Sequence, residues 1–194
     1  MNPEDRNFDD LAERFQQRIG NTLKGKVRRA VVQRDLAEWV PAYLQGRWQV
    51  LDAGGGYGQM AIDAAQRGHR VTYCDLSEVM TRHARQHAAE AQVDERIRFL
   101  TGAVQQQAFS QPFQMVFFHA VLEWLANPRE TLTQVLSTVA PGGFLSLMFY
   151  NRWSLEFNLL RQGDFAPVLA NNLGLNAFKL TPGSPLSPTD VIQW

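Results

Sequence analysis

Apolar residues recur along this chain with two different periods. Phe8, Leu11, Phe15 and Ile19 are spaced for one face of a helix, as are Val27, Ala30, Val31, Leu36 and Trp39, whose run stops near Pro41. Beyond that point short apolar runs alternate with helical spacing. Trp48 to Ala53, Val71 to Cys74, Ile97 to Leu100, Phe113 to Phe118 and Phe144 to Tyr150 read as five strands. Helices are predicted from Gln59 to about Arg67, closed by Gly68, and from Glu78 to about Ala91, with Ser77 as N-cap. Another starts at Pro128 and runs to about Val139, and Pro141-Gly142-Gly143 then turns the chain into the fifth strand. The fourth strand is almost wholly apolar, as a strand covered on both faces must be. Strands alternating with helices predict an α/β fold, a doubly wound and mainly parallel sheet with an N-terminal helical cap. After Tyr150 the pattern weakens to a helix over Trp153–Leu160, a long loop over Ala166–Pro188 and a short helix start at Ser187-Pro188. The pattern divides the chain into a cap over 1–45, an α/β core over 46–152 and a substrate-side segment over 153–194.

Composition narrows the class without choosing a function. With 194 residues, 45% hydrophobic and 20% charged, the chain has material for one core of ordinary globular type. No apolar run approaches the length of a membrane span, and the polar start, Met1 to Asp10, is unlike a signal peptide. The single cysteine, Cys74, excludes an internal disulfide framework and suits a cytoplasmic setting. Nineteen basic residues balance nineteen acidic ones, so a nucleic-acid partner has to be met by a local basic patch. His83 and His87 have metal-ligand spacing on a helix but lack a third ligand, so no metal site is expected.

The chemistry concentrates where the first strand ends. Val50-Leu51-Asp52-Ala53-Gly54-Gly55-Gly56-Tyr57-Gly58 describes a strand, a glycine loop and a helix start, and Asp75 ends the next strand. Such a loop brings bare backbone against a ligand, and a carboxylate ending the second strand is placed to accept hydrogen bonds from both hydroxyls of a ribose. A dinucleotide fingerprint fits less well: counted from Gly54, its third glycine falls on Gln59. Counted from Gly56, Gly58 and Ala61 satisfy the permitted variant, but later after the strand, so that alternative stays open.

The acid at 52 followed by alternating glycines resembles motif I of the class I S-adenosylmethionine-dependent methyltransferases. Further segments resemble one group within that class: Asp5-Arg6-Asn7-Phe8-Asp9-Asp10, Lys24-Gly25-Lys26-Val27-Arg28, Cys74-Asp75-Leu76-Ser77, Phe118-His119-Ala120-Val121-Leu122-Glu123-Trp124, Pro141-Gly142-Gly143 and Leu145-Ser146-Leu147-Met148-Phe149-Tyr150-Asn151. These are similar to the tRNA 5-carboxymethoxyuridine methyltransferases, which esterify the carboxylate of a modified wobble uridine. The resemblance runs from residue 5 to about 152. It implies S-adenosyl-L-methionine as cofactor and tRNA as partner. It also implies that Arg28 meets the cofactor's carboxylate, Gly54 and Gly55 line the methionyl pocket, and Asp75 holds the ribose. Val104 and Gln105 would flank adenine, and His119 would close the site.

Methyl transfer to a carboxylate needs no general base, because a group with a pKa near 4 is already ionised at pH 7. No activated Cys or His–Asp pair is found. Arg152, just after the fifth strand, is a candidate for a weak grip on the substrate carboxylate. The class usually ends in two further strands that the pattern does not supply, so the sequence is expected to be a piece of a longer protein. Gln114 stands where the class usually carries a structural acid. Lys24, Lys26, Arg28, Arg29 and Arg34 form the basic patch left for RNA, since residues 163 to 182 contain only Lys179. A methyltransferase for a small metabolite and a non-catalytic cofactor-binding subunit remain the alternative functions.

Overall fold

The computed structural model describes residues 5–10, 22–171, 173 and 185–194. The first helix expected from Phe8, Leu11, Phe15 and Ile19 falls mostly on residues outside these. Helix α1 spans Leu23–Trp39, with the Thr22 side chain accepting from the Gly25 amide as its N-cap. A 3-10 turn, Pro41–Gln45, leads into strand β1, Gln49–Ala53. There follow α2 (Gln59–Gln66), β2 (Arg70–Asp75), α3 (Glu78–Glu90) and β3 (Ile97–Thr101). The chain continues through β4 (Phe113–His119), α4 (Pro128–Ser137) and β5 (Val139–Met148). Then come α5 (Arg152–Arg161), α6 (Ala166–Leu169) and α7 (Pro188–Gln193).

The strands form one sheet in the order β3-β2-β1-β4-β5, and every pairing is parallel. The order reverses between β1 and β4, which opens a crevice at the carboxyl ends of those strands. Alternating side chains of β1 and β4 serve two cores. Val50, Met115 and Phe117 pack with Leu36, Ala61, Ala64, Tyr73 and Ala84 on one face. Leu51, Ala53, Val116 and Phe118 pack with Leu132, Val135 and Val191 on the other. Burial on both faces explains the near-continuous apolar run of β4, and the doubly wound parallel expectation holds.

Helix ends follow their sequence signals. Ser77 Oγ accepts from the Met80 amide at 3.0 Å, and Gly68 stands just past α2 at φ +97. The fifth strand differs from expectation. It begins at Val139 rather than Phe144, and its register on β4 jumps between Phe113↔Val139 and Met115↔Phe144. Pro141-Gly142-Gly143 is therefore a bulge inside the strand, with Gly142 at φ +73. Gln114 uses its amide oxygen to accept from the Gln49 amide at 2.8 Å, the structural task an acid would perform there. The loop expected over Ala166–Pro188 contains the short α6, and residues 172 and 174–184 lie outside the described ones.

Candidate active site

The loop after β1 is fastened to the end of β2. The amide of Gly54 donates to the Cys74 carbonyl at 2.7 Å, and the amide of Gly56 donates to Asp75 Oδ2 at 2.8 Å. Asp75 Oδ1 accepts from the Ser77 amide at 2.8 Å, so each carboxylate oxygen is oriented by one backbone donor. Glycine is required at 54 on two counts: its φ is +71, and an added Cβ would lie 2.3 Å from Val121 Cγ2. At Gly55 an added Cβ would strike the Tyr73 ring at 2.6 Å and Asp52 Oδ2 at 2.8 Å. Asp52 itself is buried and accepts from the Ala61 amide at 3.0 Å, holding the start of α2 against β1. Burial pushes its carboxyl up to about 7, and burial likewise holds Asp75 above the usual carboxylate range.

One cavity at the strand carboxyl ends is lined by all seven residues singled out for a cofactor: Arg28, Gly54, Gly55, Asp75, Val104, Gln105 and His119. Arg28 reaches it from α1, and its guanidinium makes no hydrogen bond or ion pair among the described residues. Its neighbour Arg29 is instead bound to Asp63, and Arg34 to Asp35, which removes two cations from the patch considered for RNA. His119 ends β4, with Nε2 2.8 Å from Ser146 Oγ. Burial first, and the Arg28 charge second, push His119 down to about 4, so its ring is neutral at physiological pH. Ala120 follows at φ 57 and donates its amide to the Met148 carbonyl at 2.6 Å, a left-handed turn that swings the next residues along the cavity wall.

Arg152 is not gathered with the others. Its Nε donates to Glu156 Oε1 at 2.7 Å, its guanidinium also meets Asn171 Oδ1, and it does not line the cavity. Cys74 is fully buried, with its thiol pushed up to about 12 by that burial, and its Sγ donates to the Gly102 carbonyl at 3.2 Å. His83 and His87 each meet the Tyr57 ring at a tilt, and no group of three or more metal-ligating residues exists among the described residues.

The sequence did not reveal the amino-terminal segment's part in the site. Asp5, Arg6 and Phe8 all line the cavity. Asp5 Oδ1 accepts from the Ala126 amide at 2.8 Å, the Arg6 amide donates to the Trp124 carbonyl at 3.0 Å, and Phe8 meets Trp124 edge-on at 4.9 Å. Asp9 accepts from the Ser77 hydroxyl and, at 3.3 Å, from the Val79 amide. Residues 5–10 thus strap the loops after β2 and β4 together across the crevice. The segment had been singled out only through resemblance; no periodic pattern marks such a contact.

The residues present fit S-adenosylmethionine. A side chain at Gly54 has no room, a lone guanidinium faces the cavity, and an oriented carboxylate stands at the end of β2. A methyltransferase-domain family model matches residues 50–143. The PH0226 protein of Pyrococcus horikoshii OT3 shares the fold, with a TM-score of 0.62 at 23% identity over 81% of this chain and 72% of that one. DhpI, solved as a complex with SAM and HEP, does so with a TM-score of 0.56 at 19% identity, over 81% and 68%. Fold and site define a class I S-adenosylmethionine-dependent methyltransferase. The chain is also 42% identical, over 193 residues, to the tRNA 5-carboxymethoxyuridine methyltransferase of Escherichia coli K12, covering 98% of this chain and 74% of that protein. It belongs to that family.

Proposed function

We propose that this protein transfers a methyl group from S-adenosyl-L-methionine to the carboxylate of 5-carboxymethoxyuridine at the wobble position of tRNA. The observation that carries this is the 42% identity with the E. coli enzyme over 98% of this chain, in a chain whose seven candidate cofactor residues line one cavity. A tRNA substrate fits a cytoplasmic setting. The division into a cap over 1–45, a core over 46–152 and a substrate-side segment over 153–194 belongs to the same proposal.

In this assignment Arg28 meets the methionyl carboxylate, Gly54 and Gly55 give it backbone contact, and Asp75 takes the ribose hydroxyls. Val104 and Gln105 flank the adenine, and His119 closes the wall at the end of β4. The cofactor supplies a methyl group made electrophilic by its sulfonium. With the cofactor bound, the substrate carboxylate would displace its sulfur from the methyl carbon, the electron pair returning to sulfur and no proton being transferred. The chain's own contribution is alignment and exclusion of water, and alignment can supply roughly 7–11 kcal/mol. Positive sulfonium and negative carboxylate cancel along the reaction, so walls of Phe8, Val121, Trp124 and Met148 favour the transition state over the solvated reactants. A neutral His119 adds no further positive charge beside Arg28 and the sulfonium.

The test is methyl transfer to tRNA from a strain lacking the modification, with a labelled methyl donor. The expected product is a labelled wobble nucleoside whose methyl is released by mild alkali, as an ester requires. Labelling confined to a small metabolite, or cofactor binding with no turnover on any tRNA, overturns the proposal.

A further inference from the structure

We propose that Asp5 is a positioning residue that makes the cavity select a nucleobase bearing an amino group. This rests on the cofactor reading above and extends it to the edge of the base. Asp5 is tied at both oxygens: Oδ1 accepts from the Ala126 amide at 2.8 Å, and Oδ2 accepts from Nε2 of Gln105. A carboxylate offers only acceptors, so the Gln105 amide has to turn its NH2 end toward Asp5. The end left for a ligand is Oε1, which takes no hydrogen bond among the described residues. Both Asp5 and Gln105 line the cavity. A fixed acceptor at that place matches the exocyclic amine of adenine and opposes the carbonyl that hypoxanthine carries at the same position.

The geometry makes one substitution especially informative. In Asp5→Asn the backbone donor at Ala126 still demands an acceptor, so the new amide has to keep its oxygen there. Its NH2 then faces Gln105, which has to rotate and offer Oε1 to it. Rotation leaves the Gln105 NH2 for the ligand, and the preference at the base edge inverts from acceptor to donor.

The experiment is calorimetric titration of the purified protein with S-adenosylhomocysteine and with its inosine counterpart. The unsubstituted protein is expected to bind the adenosyl compound about 100-fold more tightly or better, as a site built around a specific hydrogen bond does. Asp5→Asn is expected to bring the two within about tenfold, with the inosyl compound binding more tightly than before. An improved affinity cannot come from partial unfolding. Equal weakening of both compounds would mean that Asp5 is only a structural tie, and the proposal falls. In Gln105→Leu the discrimination should disappear and Asp5→Asn added to it should leave the ratio unchanged; a further change would also overturn the proposal. Failure of the cofactor reading is distinguishable, because the unsubstituted protein would then bind neither compound.

Discussion

The amide of Gly56 donates to Asp75 Oδ2 at 2.8 Å, which makes the glycine loop and the carboxylate at the end of β2 one unit. The two stand nineteen residues apart in sequence, and this bond orients one carboxylate oxygen while it fastens the loop. Asp75→Ala and Asp75→Asn should therefore lose more than a ribose contact. Asparagine has a single acceptor for two backbone donors, so one buried N–H is left unmatched, at a cost of about 1–3 kcal/mol in stability. Affinity for S-adenosylhomocysteine should fall roughly 10–100-fold in both variants, measured by calorimetry below their unfolding temperatures. An affinity within twofold of the unsubstituted protein would refute the ribose assignment.

Gly54→Ala tests the loop from the packing side. The residue sits at φ +71 with Val121 Cγ2 2.3 Å from the added Cβ. Left-handed backbone costs a non-glycine residue about 1–2 kcal/mol, and the steric clash adds about 1–3 kcal/mol. Urea unfolding should show the sum in Gly54→Ala. Adding Val121→Ala should recover the clash but not the backbone strain.

Arg28→Ala should raise the KM for the cofactor roughly 10–100-fold while leaving kcat within a few-fold. The guanidinium makes no hydrogen bond or ion pair among the described residues, so little stability should be lost with it. A large fall in kcat at saturating cofactor would place Arg28 on the acceptor instead.

Asp52 and His119 set opposite pH dependences over the same range. Asp52 is raised from 3.8 to about 7, so the folded state holds its proton more tightly than the unfolded one. That contribution is fully present below about pH 3.8 and is lost as pH rises through about 7. Asp52→Asn keeps an acceptor for Ala61 without the charge. Its stability relative to the unsubstituted protein should climb between pH 5 and 8, at no more than about 1.4 kcal/mol per pH unit. A flat difference would show that Asp52 ionises normally.

His119 runs the other way. Its value falls from 6.5 to about 4, so its contribution is present above pH 6.5 and is lost as pH drops through about 4. The imidazole resonance assigned by its absence in His119→Asn should hold its neutral shift down to about pH 5. A midpoint near 6.5 would contradict the burial and the influence of Arg28.

Five strands were legible because each is a short apolar run bounded by turn residues, and the parallel arrangement followed from the helices between them. The start of β5 was misplaced because Pro141-Gly142-Gly143 has turn composition, whereas parallel pairing resumes across it on Phe144. Gly54, Gly55, Asp75 and His119 drew notice at strand ends, where ligands gather in such sheets, whereas Val104 and Gln105 came from the family resemblance; all six line the same cavity. Arg28 needed the family resemblance: within a basic run on an exposed helix nothing separates it from Arg29, which binds Asp63. Arg152 was named for its place after β5, but it opens α5, where a spacing of four residues brings Glu156 alongside it as partner. Asp5 was invisible as a site residue, since its bonds span 100 and 121 residues and leave no periodic trace.

That span carries a consequence for how the protein is born. Residues 5–10 are synthesised before their anchors at Ser77, Gln105, Trp124 and Ala126. Its full set of contacts therefore has to wait until more than a hundred further residues have been added, the last being the bond from the Ala126 amide to Asp5. Its arrival brings Phe8 against Trp124, so the indole fluorescence of Trp124, isolated by replacing the other four tryptophans, offers a clock for the docking of this segment.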